Sequence, residues 1–180
     1  MATLNDADIV SALKKNVENG FRLLMAKYKE AVYWHIRRLV VSHDDAQDAT
    51  QETFVRVFRS FREFKNQCSL GAWIYRIATN EALRILERGR GERFSLDDPK
   101  AGTSSLMADD YVDYSDLEAV KLQKAILSLP TKQQLVFNLR YYDELSYDEI
   151  AVVINSTPAN VKANYHIAKE KIIKYMNSTI

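Results

Sequence analysis

The last third of the chain contains two helix-start signals close together, and they constrain the fold more than any other feature. Ser146 followed by Glu149 forms a capping box, in which the hydroxyl accepts from a backbone N–H three residues on and the carboxylate reaches back. Thr157 followed by Pro158 places a hydroxyl at a second N-cap and a proline at the first helical position, where its missing N–H costs nothing. The pattern predicts two short helices joined by a tight turn at 155–156.

The second of these helices has a polar face that suits the major groove of DNA. Its apolar residues recur every three or four positions and should face inward: Val161, Tyr165, Ala168, Ile172 and Tyr175 or Met176. The residues left facing outward are small, amide, basic or imidazole side chains: Ala159, Asn160, Lys162, Ala163, His166 and Lys169. We therefore predict a DNA-binding helix-turn-helix, although an amphipathic helical hairpin with a solvated polar face fits the same pattern.

The formal net charge of +1 hides a segregation of charge along the chain. Residues 62–93 carry seven basic and four acidic side chains, residues 94–118 carry one basic and seven acidic, and residues 155–180 carry four lysines and one glutamate. Two basic modules joined by an acidic connector suit contacts with a polyanion at two separated places.

Helical periodicity predicts an all-α protein, because sustained apolar-polar alternation and Asn-Gly hairpin signals are absent from the sequence. The stretch from Gly89 to about Ser115 contains three glycines, Pro99 and scattered aspartates without a helical period, so we expect a flexible acidic linker. The expected domains are 1–90, a bundle of three or four helices, and 117–180, which contains the helix-turn-helix; the linker occupies 91–116.

Three amphipathic helices and a shorter one at 8–15 are predicted in the N-terminal module. The first long helix should end near 42–44. The second should bury Ala49, Phe54, Val57, Phe58 and Phe61 and expose its acids. The third should bury Trp73, Ile74, Ile77, Ala78 and Ile85 and leave one side basic. Two more helices, 117–129 and 131–142, should precede the helix-turn-helix.

Several classes of chemistry are disfavoured by the sequence. The single cysteine, Cys68, excludes an intramolecular disulfide and a zinc site built on paired thiolates. No run approaches the roughly 18 consecutive apolar residues that span a bilayer, and the N-terminus lacks the features of a signal peptide. We expect a cytoplasmic protein that does not insert into membranes, holds no metal or cofactor and is not an enzyme.

Two blocks read together resemble one family. The segments DDAQDATQETFVRVF at 44–58 and AWIYRIATNEAL at 72–83 are similar to regions 2.2 to 2.4 of the sigma-70 superfamily of bacterial transcription initiation factors. Segments at 127–130, 145–151 and 159–162 are similar to region 4. The resemblance runs from about Gly20 to Tyr175 in the family's order. Without region 1.1 or region 3, the chain resembles the extracytoplasmic-function (ECF) group.

The resemblance implies a sigma factor that binds core RNA polymerase and directs promoter-specific initiation. In such factors an acidic stretch docks on the clamp helices of the largest catalytic subunit, and the matching residues are Asp45, Asp48, Gln51, Glu52 and Phe54. The −10 element is captured and melted by the third helix and the loop before it. The matching −10 candidates are Arg62, Lys65, Tyr75, Arg76, Asn80, Arg84 and Arg88.

Region 4 of such factors reads the −35 element as duplex DNA. The matching candidates are Ser156, Thr157, Asn160, Lys162, Ala163, Asn164, His166 and Lys169. The chain lacks the basic Arg-x-Arg run that commonly follows the Val-Lys pair, so the resemblance does not specify its promoter sequence. It implies a monomer whose partners are the clamp helices and flap of polymerase, promoter DNA in duplex and single-stranded form, and an anti-sigma factor.

Two other interpretations compete with this one. An enzyme with a metal site would use Asp44, Asp48 and Glu52, but these acids are expected outside the bundle and have no second cluster. A stand-alone helix-turn-helix regulator, with the N-terminal module as a sensor or dimerisation domain, explains only the C-terminal half. A regulator should bind duplex DNA alone and usually as a dimer, whereas a sigma factor should act through polymerase.

Overall fold

Every regular element that the structure describes is helical. The structure is a computed structural model that describes residues 4–40, 42–90 and 116–178. Its α-helices are α1 (Asp6–Lys15), α2 (Val17–Arg37), α3 (His43–Ser60), α4 (Leu70–Arg90), α5 (Leu117–Leu127), α6 (Thr131–Tyr141), α7 (Tyr147–Ile154) and α8 (Pro158–Asn177), and a 3-10 turn at Phe61–Glu63 follows α3. The all-α fold class predicted from the sequence is confirmed.

The two predicted helix-start signals form as expected. The Ser146 hydroxyl accepts from the Glu149 backbone N–H at 3.1 Å, and the Glu149 carboxylate accepts from the Ser146 backbone N–H at 3.2 Å. The Thr157 hydroxyl accepts from the N–H of Asn160, at 3.2 Å, and Pro158 opens α8. Between the helices Asn155 has a left-handed backbone (φ 54°), which asparagine tolerates better than most residues. The predicted helix-turn-helix is confirmed.

The N-terminal bundle consists of α1 to α4. Helices α2, α3 and α4 contact one another, and α1 lies along α2. The closest approach of α1 and α2 is at Gly20, where an added Cβ would lie 2.4 Å from the backbone nitrogen of Leu13. The bundle buries an apolar stripe from each helix, and its fully buried side chains include Ile9, Leu24, Val32, Ile36, Val57 and Ile74.

The C-terminal bundle is arranged around α8. This helix contacts α5, α6 and α7, and it buries Val161, Ala168 and Ile172 as the sequence predicted. Ala168 and Ile172 join Phe137 of α6 in a small core with residues of α5. Lys121 links α5 to the C-terminal end of α8, because its ammonium donates to the backbone oxygens of Met176 and Ser178 at 2.9 and 2.7 Å.

The two bundles are in contact with each other. Helix α4 packs against α7, and residues of α6 and α7 belong to the same buried cluster as the core of the N-terminal bundle. Helices α1 to α4 lie within residues 1–90 and α5 to α8 within 117–180. The predicted linker, 91–116, falls outside the described residues except for residue 116, so the proposed domain boundaries stay a prediction.

Two sequence-based expectations were wrong. Helix α2 ends at Arg37 rather than near 42–44, because Ser42 caps α3 and accepts from the backbone N–H of Asp45. Phe58 was expected in the core but is 49% exposed. Its ring meets Phe21 edge to face with centroids 5.3 Å apart, at the margin of the α2–α3 pair, so burial on one side only explains the error.

Candidate functional site

The outward face of α8 is exposed where the helical period predicted it. Asn160, Lys162, Ala163, His166 and Lys169 are all exposed, while Val161 between them is fully buried. The predicted −35 residues before them begin the helix: Thr157 is exposed but uses its hydroxyl as the N-cap, and Ser156 is half-buried. Because α8 is anchored by its buried stripe, this face has a fixed direction relative to the bundle.

Local contacts restrict two of the predicted −35 residues. The side-chain amide of Asn164 donates to the backbone oxygen of Asn160 at 2.9 Å, and Asn164 is half-buried. The imidazole of His166 lies 3.1 Å from the carboxylate of Glu170, with both side chains largely exposed. A carboxylate beside the reading face repels phosphate, and the sequence interpretation did not include Glu170. Its spacing of four residues from His166 was the available signal.

Four of the predicted −10 residues share the exposed side of α4. Arg76, Asn80, Arg84 and Arg88 are exposed, and Arg62 and Lys65 are exposed in the segment before the helix. The Arg84 guanidinium lies 3.2 Å from Glu81. The remaining side chains leave a basic strip around Asn80, a polar amide able to hydrogen-bond a base edge.

Tyr75 was also predicted to contact −10 DNA, but it is 4% exposed. Its hydroxyl donates to Oδ1 of Asp143 at 3.1 Å, and its ring lies edge to face against His35 with centroids 5.2 Å apart. Burial raises the pKa of the Tyr75 hydroxyl, and the Asp143 carboxylate raises it further. The ring is therefore inaccessible to a base in this arrangement.

Two aromatic side chains at the start of α4 were not among the predicted −10 residues: Phe64 in the loop before the helix, and Trp73 in its first turn, which the sequence placed in the core. Phe64 and Trp73 are half-buried, with ring centroids 5.2 Å apart and planes inclined at 34°. They line a pocket with Lys14 of α1 and Arg62. Partly exposed aromatic rings beside cations form the combination that holds unstacked bases and their backbone.

The predicted polymerase-binding residues lie on α3. Asp45, Asp48 and Gln51 are exposed, as expected for a docking face. Glu52 is half-buried, and its carboxylate lies 3.3 Å from Arg56. Phe54 is 4% exposed, so it belongs to the core and supports the face from beneath.

An apolar groove that the sequence did not indicate borders this acidic face. It runs between α2 and α3 and is lined by Phe21, Met25, Lys29, Gln51, Val55 and Phe58. Val55 is 39% exposed and Phe58 is 49% exposed. Exposed apolar side chains beside a polar rim are typical of a protein-binding surface.

Nothing in the described part of the chain favours metal or membrane chemistry. Over residues 4–40, 42–90 and 116–178, no group of three or more His, Cys, Asp and Glu side chains is placed to hold a metal ion. In the same residues no helix is both long enough and apolar enough to cross a membrane. Cys68 is half-buried, and burial raises the pKa of its thiol, so it has no activated nucleophile character.

Comparison with known families places both bundles in one group. Residues 24–92 match the Sigma-70 region 2 family, and residues 119–172 match the Sigma-70, region 4 family. Together the two matches cover more than half of the chain, in the order that the sequence predicted.

Relatives and solved structures are similar over almost the whole chain. The ECF RNA polymerase sigma factor SigW of Bacillus subtilis is 29% identical over 177 residues, which cover 93% of this chain and 94% of that protein. The ECF RNA polymerase sigma-E factor of Escherichia coli K12 is 27% identical over 183 residues, with 94% and 93% covered. The structure of CnrH in complex with the cytosolic domain of CnrY matches with a TM-score of 0.71 at 20% identity, covering 96% of this chain and 97% of that one.

A second solved structure shows a similar fold. The sigma factor RpoE of Bartonella quintana, in complex with the anti-sigma factor NepR, matches with a TM-score of 0.66 at 20% identity, covering 89% of this chain and 98% of that one. The described elements are helical, both sigma-70 regions match, and the similarity to ECF proteins covers more than nine tenths of the chain, so these observations define the class of the protein. The chain belongs to the sigma-70 family of RNA polymerase sigma factors, in its ECF group.

Proposed function

We propose that this sigma factor docks on core RNA polymerase through α3, captures the −10 element with α4 and its preceding loop, and reads the −35 element with α8. The observation that carries the proposal is the placement of the three faces. Each lies on a different helix, and each is exposed while the same helix is anchored by a buried apolar stripe. Three macromolecular contacts can therefore be made by different surfaces of one chain.

The α4 surface suits single-stranded DNA. Stacking on aromatic faces contributes roughly 1–3 kcal/mol per base, and base extrusion costs a few kcal/mol that such contacts must offset. Trp73 and Phe64 supply rings at the edge of the pocket, and Arg62 and Arg76 are exposed near them to hold phosphates. Asn80 is the residue for which we propose direct contact with a −10 base, through its amide.

The α8 surface suits the major groove of duplex DNA. Its N-terminal half is small and polar, so the helix can approach base edges closely, and the lysines lie where they can meet phosphates on either side. Because Asn164 bonds to its own helix, Asn160 is the stronger candidate for a base contact, and Lys162 beside it can meet a guanine edge or a phosphate. His166 pairs with Glu170, and the imidazole must turn from that carboxylate before it can meet a base.

The α3 surface combines charge with an apolar groove. Asp45 and Asp48 offer carboxylates to arginine-rich partners, and Val55 and Phe58 offer apolar area beside them. We propose that the polymerase clamp helices cover both, so the docking site is wider than the acidic residues alone. Docking through exposed side chains leaves the core of the bundle unchanged.

An anti-sigma factor is the further partner that we propose. Two structural neighbours were solved as complexes, one with the cytosolic domain of CnrY and one with the anti-sigma factor NepR. This chain has the same fold, and its two bundles meet along α4 and α7, which gives an inhibitor a single body to enclose. A stand-alone helix-turn-helix regulator is not favoured, since the relatives are sigma factors over almost their whole length.

Transcription with core polymerase on templates randomised at the −10 and −35 elements tests the assignment of faces. Asn80→Ala should weaken the −10 preference and leave the −35 preference unchanged, and the double change Lys162→Ala, His166→Ala should do the reverse. Asn177→Ala and Lys124→Ala, at exposed positions outside both faces, are the matched controls. A change that weakens both preferences equally, or neither, would contradict the separate roles of α4 and α8.

Docking is tested by the affinity for core polymerase. Asp48→Arg reverses a charge on the α3 face, and Asp8→Arg makes the same change at an exposed position of α1. The first should lower the affinity for core by at least about tenfold, because a like charge facing an arginine-rich surface costs more than about 1.4 kcal/mol when it is desolvated. Equal affinities of the two variants would exclude α3 as the docking helix.

A further inference from the structure

A carboxylate of the C-terminal bundle is buried inside the N-terminal bundle. Asp143 lies in the loop between α6 and α7, and its side chain is 5% exposed. Its Oδ1 accepts the hydrogen bond from Tyr75 and lies 3.6 Å from Nη1 of Arg38, while Oδ2 lies 3.6 Å from Nδ1 of His35. The contact therefore joins α4, α2 and the turn after α2 to a residue 68 positions beyond Tyr75.

Further contacts surround this carboxylate and fix its position. His35 is 1% exposed, and its Nε2 lies 2.7 Å from the hydroxyl of Thr79 on α4. The guanidinium of Arg38 lies over the ring of Tyr142, 4.3 Å from its centroid, so Arg38 contacts two consecutive residues of the C-terminal bundle. Gln134 of α6 donates to the backbone oxygen of Arg38 at 3.4 Å.

We propose that Asp143 is a latch that holds the two bundles of the free sigma factor together, and that the factor must release this latch to engage a promoter. The release step rests on the proposed roles of α4 and α8 in reading DNA. The existence of the latch does not, because it concerns only the contact between the two bundles.

The distance between the two reading helices makes the closed arrangement incompatible with a promoter. Helix α7 contacts both α4 and α8, so the α4 and α8 axes are at most about 20 Å apart at the usual interaxial distance of about 10 Å for each pair. Elements about 25 base pairs apart on B-DNA are separated by about 85 Å, at about 3.4 Å per pair. One chain can read both elements only after the bundles separate, which also breaks the hydrogen bond from Tyr75 to Asp143.

The polar cluster is incompletely satisfied, which makes it suitable for release. Among the described residues, Oδ2 of Asp143, Nδ1 of His35 and Nη1 of Arg38 have no hydrogen-bond partner, because 3.6 Å is too long for one. Buried groups that are paired only loosely recover solvation when they are exposed. The Tyr75–Asp143 hydrogen bond and the apolar contacts of α4 and α7 favour closure, whereas the unpaired atoms of the cluster lower the cost of opening, so the balance can shift when a partner binds.

Single-molecule energy transfer within the full chain measures the ratio of open to closed forms directly. Dyes are attached at Ser11→Cys on α1 and Asn177→Cys on α8, both exposed positions, in a Cys68→Ser background. Asp143→Lys places a cation beside Arg38 and His35 and should shift most molecules to the open form. Glu144→Lys makes the same charge change at the next residue, which is exposed, and should keep the distribution of the parent protein.

A second pair of variants distinguishes loss of the Asp143 contact from a general loss of folded structure. Tyr75→Phe removes only the hydroxyl that donates to Asp143, and it should raise the open-to-closed ratio by about tenfold. Adding Arg38→Glu to Asp143→Lys restores opposite charges and should recover part of the closed form. If both Asp143→Lys and Tyr75→Phe keep the parent distribution while circular dichroism shows intact helices, the latch is wrong. If Asp143→Lys fails to fold, the Tyr75→Phe result alone decides.

Core RNA polymerase supplies the link to function. The labelled parent protein should move to the open form when core polymerase is added. Asp143→Lys, already open, should bind core at least as tightly as Glu144→Lys does. A parent protein that stays closed on polymerase and still initiates transcription would overturn the release step, while a failure to bind polymerase at all would count against the proposed function and leave the closed-form measurement intact.

Discussion

Two buried phenols each donate a hydrogen bond to a carboxylate. The Tyr28 hydroxyl donates to Asp6 of α1 at 2.6 Å, and the Tyr75 hydroxyl donates to Asp143. Burial, followed by the neighbouring carboxylate, raises the pKa of both hydroxyls far above the ordinary value for tyrosine. Both groups therefore remain neutral donors in the folded protein at a pH where an exposed tyrosine already ionises.

These phenols predict a loss of stability at alkaline pH. Their contribution is fully present below the unfolded-state pKa, about 10, and falls above it, because the unfolded chain then releases protons that the folded chain retains. The free energy of unfolding should decrease by up to about 1.4 kcal/mol per pH unit for each group. Urea titrations between pH 8 and 11 measure this slope.

The test compares the double variant Tyr28→Phe, Tyr75→Phe with the single variant Tyr141→Phe, which is the control. The buried double variant should be less stable at pH 8 but lose less stability between pH 10 and 11. Tyr141 is 53% exposed, so its variant should keep the slope of the natural sequence. The same slope in all three proteins would show that the two buried phenols do not account for the alkaline loss.

Lys162 and Asn160 lie together on α8, but they should affect DNA binding differently. A lysine that neutralises one phosphate contributes about 0.9 to the slope of log affinity against log salt. Lys162→Ala should therefore reduce that slope by about this amount in holoenzyme binding to promoter DNA, whereas Asn160→Ala should leave it unchanged and alter preference for one base pair. An unchanged salt slope for Lys162→Ala would remove its phosphate contact from the account.

Residues whose environment is set by their own helix were predictable from the sequence. The exposed face of α8 follows from a local period and a local cap, so Asn160, Lys162 and His166 lie where they were expected. Tyr75 was not predictable, since its partner lies 68 residues away and nothing in the local pattern reports that contact. The side-chain amide of Asn164 was expected to be free to contact DNA, but it bonds to the backbone oxygen of Asn160. A hydrogen bond from an amide to the residue four positions earlier leaves no signal in the sequence.

At the scale of elements, the crossing of α1 and α2 depends on one glycine. Gly20→Ala gains up to about 1 kcal/mol of helix propensity. The added methyl group would lie 2.4 Å from backbone atoms that cannot turn aside, so the helices must separate, and overpacking of this kind costs roughly 1–3 kcal/mol. We expect a net loss of stability by thermal or urea unfolding.

Gly89 of α4 provides the opposite case. An added Cβ there meets nothing within 4 Å, so Gly89→Ala should show the propensity gain alone and raise the stability by up to about 1 kcal/mol. If the Gly20→Ala variant is as stable as the natural protein, then α1 is not packed on α2 in solution.

The element boundaries show the limits of periodicity. The starts of α7 and α8 were predicted because Ser146 and Thr157 are caps with a defined chemistry. The end of α2 was placed too late, since apolar residues at Leu39 and Val40 continue the stripe although the backbone has already turned. Phe58 was assigned to the core because its spacing fits the buried stripe of α3, but the pattern does not say how far the neighbouring helices extend.

For the whole molecule, the all-α class and the order of the two regions were predictable, and the arrangement of the bundles was not. Composition and local period determine the helices, whereas the packing of α4 on α7 depends on a few side chains, Asp143 among them, that look like ordinary loop residues in the sequence. Tyr75, which the sequence placed among the −10 residues, is buried in this packing and bonded to Asp143. We therefore expect the chain to have two states, a closed form when it is free and an open form on polymerase.

The most direct test of the central claim is run-off transcription with core RNA polymerase on a library of upstream sequences, with and without this protein. We predict that initiation depends on the protein and selects templates with shared −10 and −35 elements. Duplex DNA binding by the protein alone should be weak. If core polymerase neither binds the protein nor initiates with it, while the protein alone binds duplex DNA tightly, the chain acts as a helix-turn-helix regulator and the assignment of α3 and α4 is wrong.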